Sequence, residues 1–131
     1  MEHPLAIEIR TIKVSATGSA GSASGTTIEA VPLSKLLAIY MDFTSAPSTT
    51  DITVSTPSSG NVPAVTILTL TNVNSDGWYY PQTQIHDNTG SAITGAYMPY
   101  TLHGSLSVAL AQADAVTDEL IAYAVIEVPG P

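Results

Sequence analysis

Apolar and polar positions alternate with a period near two along most of this chain, the spacing of strands rather than helices. From Leu5 to Val14, residues Leu5, Ile7 and Ile9 share one parity while Ile12 and Val14 take the other. That change near Arg10 and Thr11 predicts a bulge, or a strand that leaves one surface to join another. Thr26 to Val31 predicts a short strand stopped by Pro32. Lys35 to Phe43 is apolar on both parities, as in a central strand covered on both sides. Asp51 to Thr56 places Ile52 and Val54 inward, and Ala64 to Thr71 is rich in β-branched residues.

Asn72 to Gly77 reads NVNSDG, whose Asp-Gly step suits a tight hairpin. Trp78 to Asp87 resumes as a strand in which Pro81 demotes part to an edge, and Tyr97 to Leu102 is limited by Pro99. Gly104 to Ala111 sets Leu106, Val108 and Leu110 against Ser105, Ser107 and Ala109. Glu119 to Val128 is the cleanest strand, with Leu120, Ala122, Ala124 and Ile126 facing one way. Only Ala109 to Leu120 competes as helix, and it lacks the strong apolar positions to hold one down; it reads as a loop with at most a helical turn. About eight strands punctuated by Gly, Pro, Asn and Asp predict an all-β fold, an antiparallel β-sandwich. Eight is also the strand number of a jelly roll.

Between the first strand and Thr26 lies SATGSAGSASG, residues 15–25, too poor in apolar area to offset its own ordering entropy. It divides the chain into an arm with a linker, 1–25, and a sandwich domain, 26–131. Residues 1–14 are then either a tethered arm or an ordinary first strand followed by a long loop.

Composition narrows what such a body can do. Of 131 residues, 17 are Thr and 14 Ser, whereas Asp, Glu, Lys and Arg together make only 11%. The net charge is −8, and the three cations, Arg10, Lys13 and Lys35, all precede residue 36. Nucleic acid needs clustered cations to neutralise phosphates, and anionic membrane surfaces need them too; neither partner fits. No apolar run approaches the ~20 residues of a spanning helix, and the Met-Glu-His-Pro start lacks the basic and apolar parts of a signal peptide. Without cysteine there is no disulfide framework and no thiolate chemistry.

Candidate chemistry is sparse. Asn72 to Gly77 matches the front of a calcium loop, but Thr83 stands where its bidentate Glu belongs. His86 and Asp87, with Ser91, His103 and Ser105, contain the residue types of a nucleophile triad without a G-x-S-x-G turn. The three histidines lack zinc spacing, and Asp114, Asp118 and Glu119 read as a solvated acidic loop. No cofactor is expected. Trp78-Tyr79-Tyr80 is the densest aromatic group; alternation sends Trp78 and Tyr80 to one face and Tyr79 to the other, with Trp78 expected as the core tryptophan.

A short apolar N-terminal stretch (Ile7 to Val14), a Ser/Gly/Ala linker and one β body with TLTNVNSDGWYYP at residues 69–81 together resemble the small decoration, or cement, proteins of tailed-phage capsids. That resemblance implies a structural, non-enzymatic virion protein on the outer capsid surface, docked as a homotrimer on the major capsid protein. The contact residues would be Ile7, Ile9, Arg10, Ile12 and Lys13 of the arm, Arg10 and Lys13 pairing with acids of a neighbour, together with Tyr79, Tyr97 and Tyr100 of the body. A carbohydrate-binding sandwich using exposed tyrosines beside Asp76, Gln84 or Asn88 is the second reading. A small hydrolase is the third.

Overall fold

Ten strands form two antiparallel sheets in the computed structural model, which describes residues 5–129. They are β1 (Leu5–Val14), β2 (Ala23–Ala30), β3 (Ser34–Phe43), β4 (Asp51–Thr56), β5 (Val65–Leu70), β6 (Gly77–Tyr79), β7 (Gln82–His86), β8 (Ala92–Leu102), β9 (Ser105–Ala113) and β10 (Leu120–Pro129). The larger sheet runs β1-β10-β3-β8-β7, with β6 also on β3, and the smaller runs β2-β9-β4-β5. The fold is all-β, a sandwich of ten strands where the spacing predicts about eight. One cause is Pro81, which splits the expected strand 78–87 into β6 and β7.

The core lies between the sheets. Period-two alternation delivers Leu120, Ala122, Ala124 and Ile126 of β10 to it, facing Leu106, Val108 and Leu110 of β9 and Ile52 and Val54 of β4. In β3 the register with β10 slips by one, pairing Val125 with Ala38 but Ile126 with Leu36. The extra residue, Leu37, forms a bulge, so Leu36, Ile39 and Met41 are all buried despite their mixed parity.

The N-terminal segment departs from the arm expectation. Leu5–Val14 pairs with β10 without a register break, from Leu5 opposite Pro129 to Val14 opposite Leu120. Its mixed parity is therefore no bulge: Ile12 and Val14 enter the core, while Leu5, Ile7 and Ile9 point outward and are exposed. Residues 15–25 are packed rather than a free linker. Ala16 and Ala23 are buried, Thr17 and Ser24 exchange two backbone hydrogen bonds, and the Ala16 N–H donates to the Val116 carbonyl. The Gly21 N–H donates to Asp114 Oδ1 at 2.9 Å. Gly25 lies so close to Ser15 that a Cβ would overlap the Ser15 carbonyl oxygen. Small side chains serve close approach here, and the expected boundary at residue 25 falls inside β2.

Asn72–Gly77 is likewise no hairpin, because it carries the chain from β5 in one sheet to β6 in the other. Its polar residues tie that crossover down. Asp76 Oδ1 accepts the Phe43 N–H at 2.8 Å, Asp51 Oδ1 accepts the Asn72 N–H, and the Asn74 amide donates to the Ala46 carbonyl. Asn72 adopts a positive φ of 57°, a conformation Asn tolerates better than most residues.

Candidate functional site

The outer face of the six-stranded sheet carries the largest accumulation of exposed apolar side chains. Inter-strand register sets it out in rows. Lys13, Ile121 and Asp42 form one row across β1, β10 and β3; Thr11, Tyr123, Tyr40 and Trp78 form the next, ending on β6. Ile9 and Val125 follow, then Ile7, Glu127 and Lys35, and last Leu5 with Pro129. Leu5, Ile7 and Ile9 are each more than half exposed, as are Trp78 at 52% and Tyr80 at 66%.

The aromatic half is ordered by ring contacts. Trp78 leans on Tyr40 at 5.1 Å between centroids, Tyr40 on Tyr123 at 6.5 Å, and Tyr80 stacks beside Trp78 at 6.3 Å and 19°. Each spacing falls in or near the range that favours aromatic pairs. Ile9, Tyr40, Trp78, Tyr123 and Val125 line a shallow cleft of about 230 Å³. A second, of about 280 Å³, opens at the far end between Leu5, Leu33, Lys35, Glu127 and Pro129.

The residues expected to meet a partner divide. Ile7 and Ile9 lie on this face, and Lys13 is exposed at its end. Ile12 is in the core and unavailable to any partner. Arg10 turns back on its own chain, bonding Glu8 at 3.0 Å, Glu29 at 3.5 Å and the Ala30 carbonyl at 3.2 Å, so it clamps β1 to β2 instead of reaching a neighbour. Tyr79 and Tyr100 are half-buried against the core. Tyr97 is exposed elsewhere, on the hairpin of β7 and β8, where Ala92–Pro99 pairs only with β7 and also exposes Ile93 and Met98. Trp78, expected in the core, is outward: the buried Pro81 shares the parity of Tyr79 and pulls that side in. Tyr40, Tyr80 and Tyr123 also belong to this face and are not among the residues expected to meet a partner. Their common parity across paired strands is visible only once the register is known.

The polar constellations are structural. Asp87 Oδ1 accepts the Thr89 hydroxyl and the Thr89 and Ser91 N–H groups, closing the β7–β8 turn. The Thr89 hydroxyl first, then those two N–H groups, hold its carboxyl below the usual range. The ring nitrogens of His103 are buried without hydrogen-bond partners; no Ser–His–acid hydrogen-bonded set forms among the described residues.

The acidic loop is not simply solvated. Glu119 is fully buried, with Oε1 accepting the Asp114 N–H at 3.1 Å and Oε2 unpartnered. Burial raises its carboxyl pKa; the Asp114 hydrogen bond opposes that and the Asp114 charge adds to it. The Asp118 N–H donates to the Ser15 hydroxyl oxygen at 2.8 Å. Among the described residues no group of three or more His, Asp or Glu is placed to hold a metal ion.

Chemically, the face offers apolar area, aromatic planes and a few charges at its margins. That is equipment for contact: apolar and aromatic side chains line the first cleft, and Lys35 and Glu127 join the apolar lining of the second. No family model matches the chain, and neither a curated protein nor a solved structure matches it.

Proposed function

We propose that the chain is a structural decoration protein, binding the outer surface of a phage capsid built from a major capsid protein and stiffening that lattice. The observation that carries this reading is the presence of two separate exposed apolar surfaces on one β body. One is the outer sheet face with Ile7, Ile9, Trp78 and Tyr80; the other is the β7–β8 hairpin with Ile93, Tyr97 and Met98. A simple binder needs one contact surface, whereas a protein that ties subunits together needs at least two. Few long charged side chains interrupt either, which suits permanent contact because such side chains lose about 1.5–2 kcal/mol of rotamer freedom when fixed. Copies joined to one another gain avidity on a repeating lattice, and three copies is the number the resemblance implies.

The test is cosedimentation with purified phage capsid shells stripped of decoration proteins. Saturable pelleting at a fixed number of copies per shell, weakened by Tyr97→Ala, is expected. A chain that stays in the supernatant at every concentration refutes the proposal. The row Tyr123, Tyr40, Trp78 and Tyr80 favours a second reading, stacking on the flat faces of sugars. That reading requires glycan-array binding that Trp78→Ala abolishes.

A further inference from the structure

We infer that the outer face of the six-stranded sheet is a self-association surface, occupied by the same face of a second copy of this chain. The inference goes beyond the decoration reading by assigning one of its two apolar surfaces.

Charge is the first argument. Lys13 and Lys35 are the two cations not engaged in an ion pair among the described residues, and both lie on this face. They balance Asp42 and Glu127 of the same rows, so the net charge of −8 resides elsewhere on the chain. An acidic molecule therefore has one broad face on which a copy of itself is not repelled.

Self-complementarity is the second. A two-fold axis lying along β10 in the plane of contact places β1 of one copy over β3 and β6 of the other. Each row keeps its height under that axis, so Ile9 covers Ala38, Thr11 covers Tyr40 and Trp78, Ile7 lies over Lys35, and Lys13 meets Asp42, each contact occurring twice. That is the isologous arrangement of a closed dimer. Strand directions stay aligned, as in the usual packing of one sheet on another.

Area is the third. Three ten-residue strands at ~3.3 Å per residue and ~4.8 Å spacing, with the three residues of β6 beside them, give a footprint of about 500 Å² per copy. Two copies together lose about 1,000 Å², the size of a weak, reversible interface. A reversible dimer that dilution dissociates follows, in place of the trimer that the resemblance implies.

The single tryptophan lies on this face and reports on it. Sedimentation velocity on the full chain over a hundredfold concentration range is expected to show monomer and dimer, with Trp78 emission shifting to shorter wavelength as dimer accumulates. Ile9→Lys alters an exposed side chain, so its melting curve should stay within error of the parent while dimerisation weakens at least tenfold. Lys13→Asp and Asp42→Lys should each weaken the dimer, and the double variant should restore it. A concentration-independent monomer, a trimer, an Ile9→Lys variant that dimerises normally, or a double variant without rescue overturns the inference. Capsid pelleting is a separate measurement, so either proposal can fail alone.

Discussion

Adding one methyl group at residue 25 decides whether the Ser/Gly/Ala stretch is a packed part of the sandwich. In Gly25→Ala the new Cβ would overlap the Ser15 carbonyl oxygen, with the Ala16 Cα behind it. Both obstacles are backbone, so no side chain can rotate away. Moving them disturbs the Thr17–Ser24 hydrogen-bond pair and the buried Ala16 and Ala23. Overpacking of this kind costs about 1–3 kcal/mol, and rigid obstacles place this case in the upper half of that range. In a chain of this length each kcal/mol lowers the melting temperature by roughly 3–5 °C, so a loss of about 6–15 °C is expected in a thermal melt followed by circular dichroism. Ser24→Ala, at an exposed neighbour, is the control and should move the midpoint by about 1 °C or less. A free linker predicts the opposite sign, because Gly→Ala restricts the unfolded chain and raises stability by about 0.4–1 kcal/mol. An unchanged or higher midpoint for Gly25→Ala refutes the packed segment.

Other expectations follow from neighbouring contacts. Ile12→Ala should cost about 2–4 kcal/mol in urea unfolding, as buried Ile truncations do, whereas Ile7→Ala should cost less than about 1 kcal/mol. Glu119 has a folded pKa above its unfolded one, so its contribution to stability is fully present below the ordinary carboxylate range and declines as pH rises through the raised value. Glu119→Gln keeps the acceptor for the Asp114 N–H and removes the buried charge. Its unfolding free energy should exceed the parent's at pH 8, and the difference should shrink or reverse near pH 4. Thr89→Val removes the largest cause of the depressed Asp87 pKa, so an NMR titration of the Asp87 carboxyl should move upward toward the usual value. A carboxyl that titrates unchanged would mean the Thr89 hydroxyl does not hold it.

Strand identity was legible where one face is buried and the other wet. In β10 and β9 the alternation of Leu120 to Ile126 and of Leu106 to Leu110 names the inward residues directly. It failed where both parities are apolar. Trp78 and Tyr79 offer either face to the core, and the decision rests on pairing with β3, a long-range fact. The same holds for β1, whose outward Leu5, Ile7 and Ile9 look like core residues until β10 is placed beside them. Composition misled at residues 15–25, because small residues signal flexibility and close backbone approach equally well. Of the candidate site, Ile7 and Ile9 could be named in advance, but the aromatic row could not, since Tyr40, Trp78 and Tyr123 come from three strands far apart in sequence.

One consequence of the strand order concerns time rather than contact. β10 is the last strand of the ten, yet it sits between β1 and β3, two of the first three. During synthesis the smaller sheet can assemble once β9 has left the ribosome, while β1 waits for its ladder partner β10 with Ile12 and Val14 uncovered. Pairings this distant in sequence are slow to form. The apolar strand β1 therefore stays without its sheet throughout the synthesis of β2 to β10, the interval in which it is most exposed to chaperones and to premature pairing with another nascent copy.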